Sequence, residues 1–165
     1  MIQAFRLQGP IFAEGSEGNE TRIVGSLDLR PTESVRISGS NTYSRITRRR
    51  DGSEFARTII PRLRIEFQPT RPLFFRAVGE YVSQRRAPLQ DAQTGAPLLI
   101  GGQPQPFQED NRFRMDFLAS FEPSPGTVAF LGYGSSLDDT SAFAFQDLSR
   151  ASDGFFVKLA YQFRW

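Results

Sequence analysis

The stretch Gly154-Phe155-Phe156-Val157-Lys158-Leu159-Ala160-Tyr161-Gln162-Phe163-Arg164-Trp165 decides the fold. Phe155, Val157, Leu159, Tyr161, Phe163 and Trp165 stand at every second position, with Lys158, Gln162 and Arg164 between them. Side chains alternate sides only along an extended backbone, so the spacing predicts a strand with one apolar and one charged face. A helix would scatter the same residues around its circumference. The chain also ends flush on an aromatic residue, whereas the terminus of a soluble domain is usually polar and loose.

Working outward, the same two-residue period returns upstream. Ile23, Gly25, Leu27 and Leu29 alternate with Arg22, Ser26, Asp28 and Arg30, and Val35, Ile37, Gly39 and Tyr43 alternate with Arg36, Ser38, Ser40, Thr42 and Ser44. Ile59, Pro61, Leu63, Ile65 and Phe67 oppose Arg62, Arg64 and Glu66; Leu73, Phe75, Ala77, Gly79 and Tyr81 oppose Arg76 and Glu80. Phe113, Met115, Phe117, Ala119 and Phe121 oppose Arg112, Arg114, Asp116 and Ser120, and a further strand is expected from Thr127 to about Ser136. Met1 to Phe12 reads as a first strand with broken alternation. Pro61 has no N–H for a ladder, so the strand around it is expected to be locally irregular.

The connections alternate in length. Short turns at Pro31 to Ser34, Pro69 to Pro72 and Glu122 to Gly126 interleave with longer polar segments at Glu14 to Glu20, Arg48 to Glu54, Arg85 to Asp110 and Leu137 to Asp153. This order is expected of an all-β, antiparallel up-and-down meander of about seven or eight strands, and not of a Greek-key sandwich. Its apolar face edged by aromatics, its charged face and its aromatic last residue are similar to the strands of an outer-membrane β-barrel. The expected fold is therefore such a barrel, or the C-terminal part of a larger one, with residues 1–165 as a single region. The apolar positions Phe155 to Trp165 are then the assembly signal. Arg62, Arg64, Glu66, Arg76, Glu80, Arg112, Arg114, Asp116, Lys158 and Arg164 point to the barrel interior, together with Arg22, Asp28 and Arg36.

Composition narrows the function. A chain of 165 residues suits one domain. No run approaches the roughly 20 apolar residues of a spanning helix, and a mean hydropathy of −0.38 leaves a barrel open, because only half of a barrel strand is apolar. The net charge is +2, with Lys158 as the only lysine, and the charges are spread along strands, so no nucleic-acid partner is expected. Cysteine and histidine are both absent, which excludes thiol nucleophiles, histidine-based triads and typical zinc sites. No catalytic residue, cofactor or metal is expected. Glu66, Glu80 and Asp116 are the carboxylates that a glycoside-cleaving pair would draw on, but spacing does not bring two of them to catalytic distance. Asp138 and Asp139 are weak candidates for a calcium site.

The interior charges of both signs have two readings, a pore that favours anions or a filling of ion pairs that keeps charge out of lipid. The second is preferred because an unpaired buried charge is costly. Arg48-Arg49-Arg50 is expected at a hairpin tip, either gripping lipopolysaccharide phosphates or simply solvated. The apolar run Pro97-Leu98-Leu99-Ile100-Gly101-Gly102 is read as an inward plug, a contact surface or a disordered segment.

Five segments carry a family resemblance: Leu-Arg-Pro-Thr at 29–32, Leu-Arg-Ile-Glu-Phe-Gln at 63–68, Leu-Phe-Phe-Arg-Ala-Val at 73–78, Pro-Gly-Thr-Val-Ala-Phe-Leu-Gly-Tyr-Gly at 125–134 and Gly-Phe-Phe-Val-Lys-Leu-Ala-Tyr-Gln-Phe at 154–163. From about Gly9 onward the chain resembles the C-terminal barrel region of a bacterial family of unknown function, one that typically follows a domain similar to carbohydrate-binding module family nine. The resemblance implies a non-enzymatic outer-membrane barrel that conducts, anchors or presents a glycan-related partner. Its expected partners are lipid, lipopolysaccharide, the barrel-assembly machinery and an N-terminal glycan-binding domain that this sequence does not contain. Residues 1–30 lack the pattern of a secretory signal, so the expectation is a processed chain or the C-terminal part of a longer protein with an incomplete barrel. A soluble all-β ligand- or carbohydrate-binding module is the alternative.

Overall fold

The period-two alternation folds as expected. In a computed structural model that describes residues 1–146 and 148–162, the chain forms β1 (Ile2–Ile11), β2 (Ser16–Thr32), β3 (Val35–Arg48), β4 (Glu54–Thr70), β5 (Leu73–Arg86), β6 (Leu99–Ile100), β7 (Gln103–Pro104), β8 (Gln108–Ser124), β9 (Thr127–Asp138) and β10 (Ser149–Tyr161). Phe163, Arg164 and Trp165 lie outside the described residues, as does Asp147. With them go the last two apolar positions of the terminal stretch and one member of the charged set.

One antiparallel sheet of eight strands holds the order β1-β2-β3-β4-β5-β8-β9-β10, a meander in which each long strand pairs with the next. The small β6–β7 hairpin is inserted between β5 and β8. Two-residue turns at Glu33–Ser34, Arg71–Pro72 and Pro125–Gly126 close one end. Each of the three is flanked by a register shift, at Leu29/Thr32, Phe67/Thr70 and Phe121/Ser124. Gly126 supplies the left-handed backbone of the last turn, with φ at 87°. All longer connections gather at the opposite end. Among the described residues no ladder joins β1 to β10, so both are edges of an open sheet.

Three local expectations change. Ser16 to Glu20 belongs to β2, not to a polar connection, because it pairs with Leu7 to Ile11 while Gly18 to Glu20 also pairs with β3. Ladder partners on both sides outweigh the low strand propensity of Gly and Asn. Pairing with β9 alone also makes β10 begin at Ser149, opposite Asp138, and the last connection is shorter than the run from Leu137 to Asp153. Pro61 produces an interruption rather than a bulge: it pairs with Asn41, but on the β5 side the ladder skips from Ile59 to Arg62 with the register unchanged.

No side chain among the described residues is wholly buried, and the buried apolar ones number only Ile11, Phe55, Val78, Tyr81 and Leu89. The accessible surface is 11507 Å², against roughly 8,200 Å² for a compact monomer of this mass. The excess reflects a single layer of sheet with nothing packed over the middle of its strands.

Candidate functional site

Residues paired across neighbouring strands share a face, so the register assigns every candidate among the described residues. Arg62 lies opposite Glu80, Arg64 opposite Val78 and Glu66 opposite Arg76; on β8, Arg114 faces Glu80 and Asp116 faces Val78. Arg112 pairs with Asp138, Asp116 with Gly134, and Lys158 with Phe130, which itself faces Ser120. All nine described members of the charged set therefore project from one side of the sheet, which Arg22, Asp28 and Arg36 also share. Phe155, Val157, Leu159 and Tyr161 lie on the other side, opposite Tyr133, Leu131, Ala129 and Thr127.

That second side carries a continuous apolar band. Its rows include Ile37, Ile65, Ala77, Phe117 and Tyr133, and Val35, Phe67, Phe75 and Ala119. On β4 the band runs over the nine residues Ile59 to Phe67, about 26 Å along the strand. Aromatic residues mark its limits, with Tyr43, Tyr81, Phe113 and Phe155 toward the long connections and Phe67, Phe75, Phe121 and Tyr161 toward the turns. The rings of Phe67 and Phe75 stack at 6.3 Å. The band is uncovered: Leu63 is 48 % exposed, Leu131 55 % and Leu159 77 %. β1 departs from the pattern, since Ile2 and Ala4 join the apolar side while Phe5 and Leu7 stand opposite Arg22 and Glu20 on the charged side. This is the broken alternation of the first strand seen in three dimensions.

On the charged side, ion pairs join Arg36 to Asp28 at 3.0 Å, Arg62 to Glu80 at 3.2 Å, Arg112 to Asp138 at 2.9 Å, and Arg64 to Glu66. Glu66 and Glu80 are thus engaged by arginine, and the Asp116 carboxylate leans over Gly134, where a Cβ would sit 3.0 Å from its oxygen. Asp138 and Asp139 do not act together, because Asp139 accepts the Tyr81 hydroxyl at 2.6 Å. The Arg64 Nε–H is buried without an acceptor among the described residues, an arrangement that costs about 1–3 kcal/mol.

At the end with the long connections, both sides are covered. On the charged side, Ile11, Phe55 and Leu89 form a small core, with Ile46, Ala56 and Leu98 against it. Gly18 leaves the space that Ile11 fills, since a Cβ there would come within 2.9 Å of the isoleucine side chain. Arg48 is buried in this cluster and corrects the expectation of a solvated arginine tip. It donates to both Glu14 oxygens, at 2.9 Å from Nε and 2.5 Å from Nη2, and to the Pro88 carbonyl at 2.8 Å. Its guanidinium lies 5.4 Å from the centre of the Phe55 ring. The Gln90 N–H donates to Glu14 at 2.9 Å. Burial pushes the Glu14 carboxyl up, but the hydrogen bonds from Arg48 and Gln90 and the arginine charge outweigh it and hold the group below its ordinary value. Arg49 pairs with Glu17, and Arg50 with Asp51, while also donating to Gln90. Arg48 and Arg50 therefore clasp the segment from Ala87 to Leu98 onto the first two hairpins, while Arg49 ties its connection to β2. That segment is folded, with Leu98 donating back to Leu89, while Leu99 and Ile100 remain exposed in β6.

On the apolar side the cover is the connection before β10. Phe143 stacks on Tyr81 at 4.4 Å, and Phe145 meets Phe113 edge-on at 6.1 Å. Both phenylalanines hold left-handed backbone, with φ at 61° and 53°, a conformation that costs a bulky residue on the order of 1–3 kcal/mol. The Tyr81 hydroxyl offsets this by donating to Asp139 and accepting the Phe143 N–H at 2.8 Å. That hydroxyl first, against burial and with help from the Phe145 and Ser141 N–H groups, holds the Asp139 carboxyl below its ordinary range.

Sequence reasoning placed the two faces on β2 to β5, β8 and β10, left the facing of β9 unassigned, and missed Glu14 with Arg48 and Tyr81 with Asp139. The partners lie 34 and 58 residues apart, so no local period marks them. The only hint was apolar residues, Leu89, Leu98, Phe143 and Phe145, in segments otherwise read as connections. What the mid-sheet can do chemically is simple: one face offers arginines and carboxylates to water or to an anion, and the other offers mainly hydrocarbon, interrupted by Asn41 and the Tyr133 hydroxyl. No protein family, no curated protein and no solved structure matches this chain.

Proposed function

We propose that the chain is a non-enzymatic β-barrel component of a bacterial outer membrane, its apolar band toward lipid and its charged face toward the aqueous interior. The uncovered band carries this reading. Leu27, Leu63, Phe67, Phe117, Phe121 and Leu131 are each about half exposed. Full burial of such a side chain contributes about 1.5–3 kcal/mol, so these six alone forgo roughly 4–9 kcal/mol in water, comparable with the whole stability of a domain. Lipid removes that deficit. The 26 Å run on β4, tilted by about 40° as barrel strands are, spans about 20 Å, close to the roughly 25 Å apolar belt of such barrels. The aromatic limits of the band correspond to the two interfacial girdles.

Two open edges support an incomplete barrel, which further strands would close. On this reading the chain is the C-terminal barrel part of the family it resembles, and glycan recognition belongs to the preceding domain. Lipopolysaccharide and the assembly machinery are its expected partners.

Solubility tests the proposal. The chain is expected to fold only in detergent or lipid, and to aggregate in plain buffer. A chain that stays folded and monomeric without detergent overturns it and leaves the soluble binding module in its place.

A further inference from the structure

The charged face contains a hollow of about 460 Å³. Val78 and Gly134 form its floor, with the Asp116 carboxylate lying over Gly134; Arg62, Arg64 and Arg76 line one flank, and Phe156 closes the other. Glycine keeps it open: the Phe156 ring lies over Gly132, so close that a Cβ there would be 2.1 Å from a ring carbon.

Arginine outnumbers carboxylate in this hollow, with three guanidinium groups against the single Asp116 carboxylate. Glu80 takes Arg62 and Glu66 takes Arg64. Arg76 has no ion partner within 4.0 Å among the described residues. The Arg64 Nε–H also lacks an acceptor. Arginine supplies a planar fork of donors that matches the oxygens of carboxylate and phosphate, a match that a lysine ammonium does not make. The apolar Phe156 side chain, 53 % exposed, offers a carbon skeleton a surface beside those donors.

We propose that this hollow is a binding site for a small organic oxyanion, carboxylate or phosphate, with Arg76 as its principal cation. Arg62 and Arg64 flank the anion and Phe156 covers its carbon side. The site rests on the register of five strands and not on where the sheet resides, so it stands or falls apart from the membrane reading.

Isothermal titration of the full chain, in whichever of buffer or dodecyl maltoside micelles keeps it folded, tests it with two probes, citrate and inorganic phosphate. Saturable binding of at least one probe is expected, and the stronger of the two identifies the preferred oxyanion. Arg76→Gln should weaken that binding at least tenfold. Arg6→Gln, which removes an arginine from the opposite face on β1, should leave it unchanged. Arg76→Lys keeps the charge without the fork and should fall between, which also provides the reading if Arg76→Gln fails to fold by circular dichroism. No saturable binding of either probe, or equal losses in the Arg76 and Arg6 variants, overturns the proposal.

Discussion

Midway along its strands the sheet is bare on both faces, while at the end with the long connections both faces are covered. The contrast separates two kinds of information. The bare region consists of residues that alternate, and alternation is satisfied by any surroundings with oil on one side and water on the other. The covered end consists of side chains that find one another across 34 to 58 residues. There the protein supplies its own interior, with a paired buried charge in one cluster and a hydroxyl-bonded carboxylate in the other. The mid-sheet has an address to fill, and the loop end is already filled.

The largest expected effect breaks the loop end. Arg48→Met leaves the buried Glu14 carboxylate unpaired and should cost about 3–5 kcal/mol. Hydrogen exchange should show the loss confined to residues 11–18 and 87–98, with the middle of the strands unchanged. Adding Glu14→Leu removes the orphaned charge and should recover most of the loss. A uniform loss over the sheet would mean that the two regions are one cooperative unit.

Next comes the mid-sheet. Leu63→Arg places a charge in the centre of the apolar band and should cost about 2–4 kcal/mol in bilayers, measured by reversible unfolding from liposomes. Ser26→Arg, on the charged face opposite Ser40, should change stability by less than about 0.5 kcal/mol. Equal effects would erase the distinction between the faces.

How much of this was legible follows from the same division. The alternation from Ile23 to Leu29 and from Phe155 to Tyr161, with short turns interleaved with long connections, was enough for the all-β meander and for the face of each of the nine described charged residues. Period two is a local property, so it can be read without partners. Closure was not legible, because it depends on which strand lies beside β1 and β10, and an edge strand reads like any other. Glu14 and Tyr81 were illegible for a different reason: one stands in a polar Gly-rich run, the other completes an apolar stripe, and only the folded chain brings their partners near. The arginine run at 48–50 misled because three adjacent charges suggest solvent, while the register turns the first into the cluster.

Smaller effects refine the loop end. Tyr81→Phe removes a donor to Asp139 and an acceptor for Phe143, and should cost about 1–2 kcal/mol, seen as faster exchange or proteolysis at residues 139–146. Acid should release the other cover. Glu14 has a folded pKa below its ordinary 4.5, so its contribution is fully present above about pH 4.5 and is lost as pH falls through the folded value. Protection of residues 87–98 should therefore decline as the pH is taken down below 4.5 in the wild type and be indifferent to pH in the Glu14→Leu, Arg48→Met double variant. The same acid dependence in both would assign it to other carboxylates.

The most direct measurement uses the fact that the chain has no cysteine. Single cysteines placed in turn at positions 62 to 67 of β4, each carrying a nitroxide, can be read in phosphatidylethanolamine–phosphatidylglycerol liposomes for collision with dissolved oxygen and with a water-soluble nickel chelate. Lipid on the apolar face and water on the charged face predict an alternation of period two, with oxygen dominant at 63, 65 and 67 and nickel dominant at 62, 64 and 66. Accessibility to nickel at every position, or no alternation, would contradict a sheet whose apolar face meets the membrane.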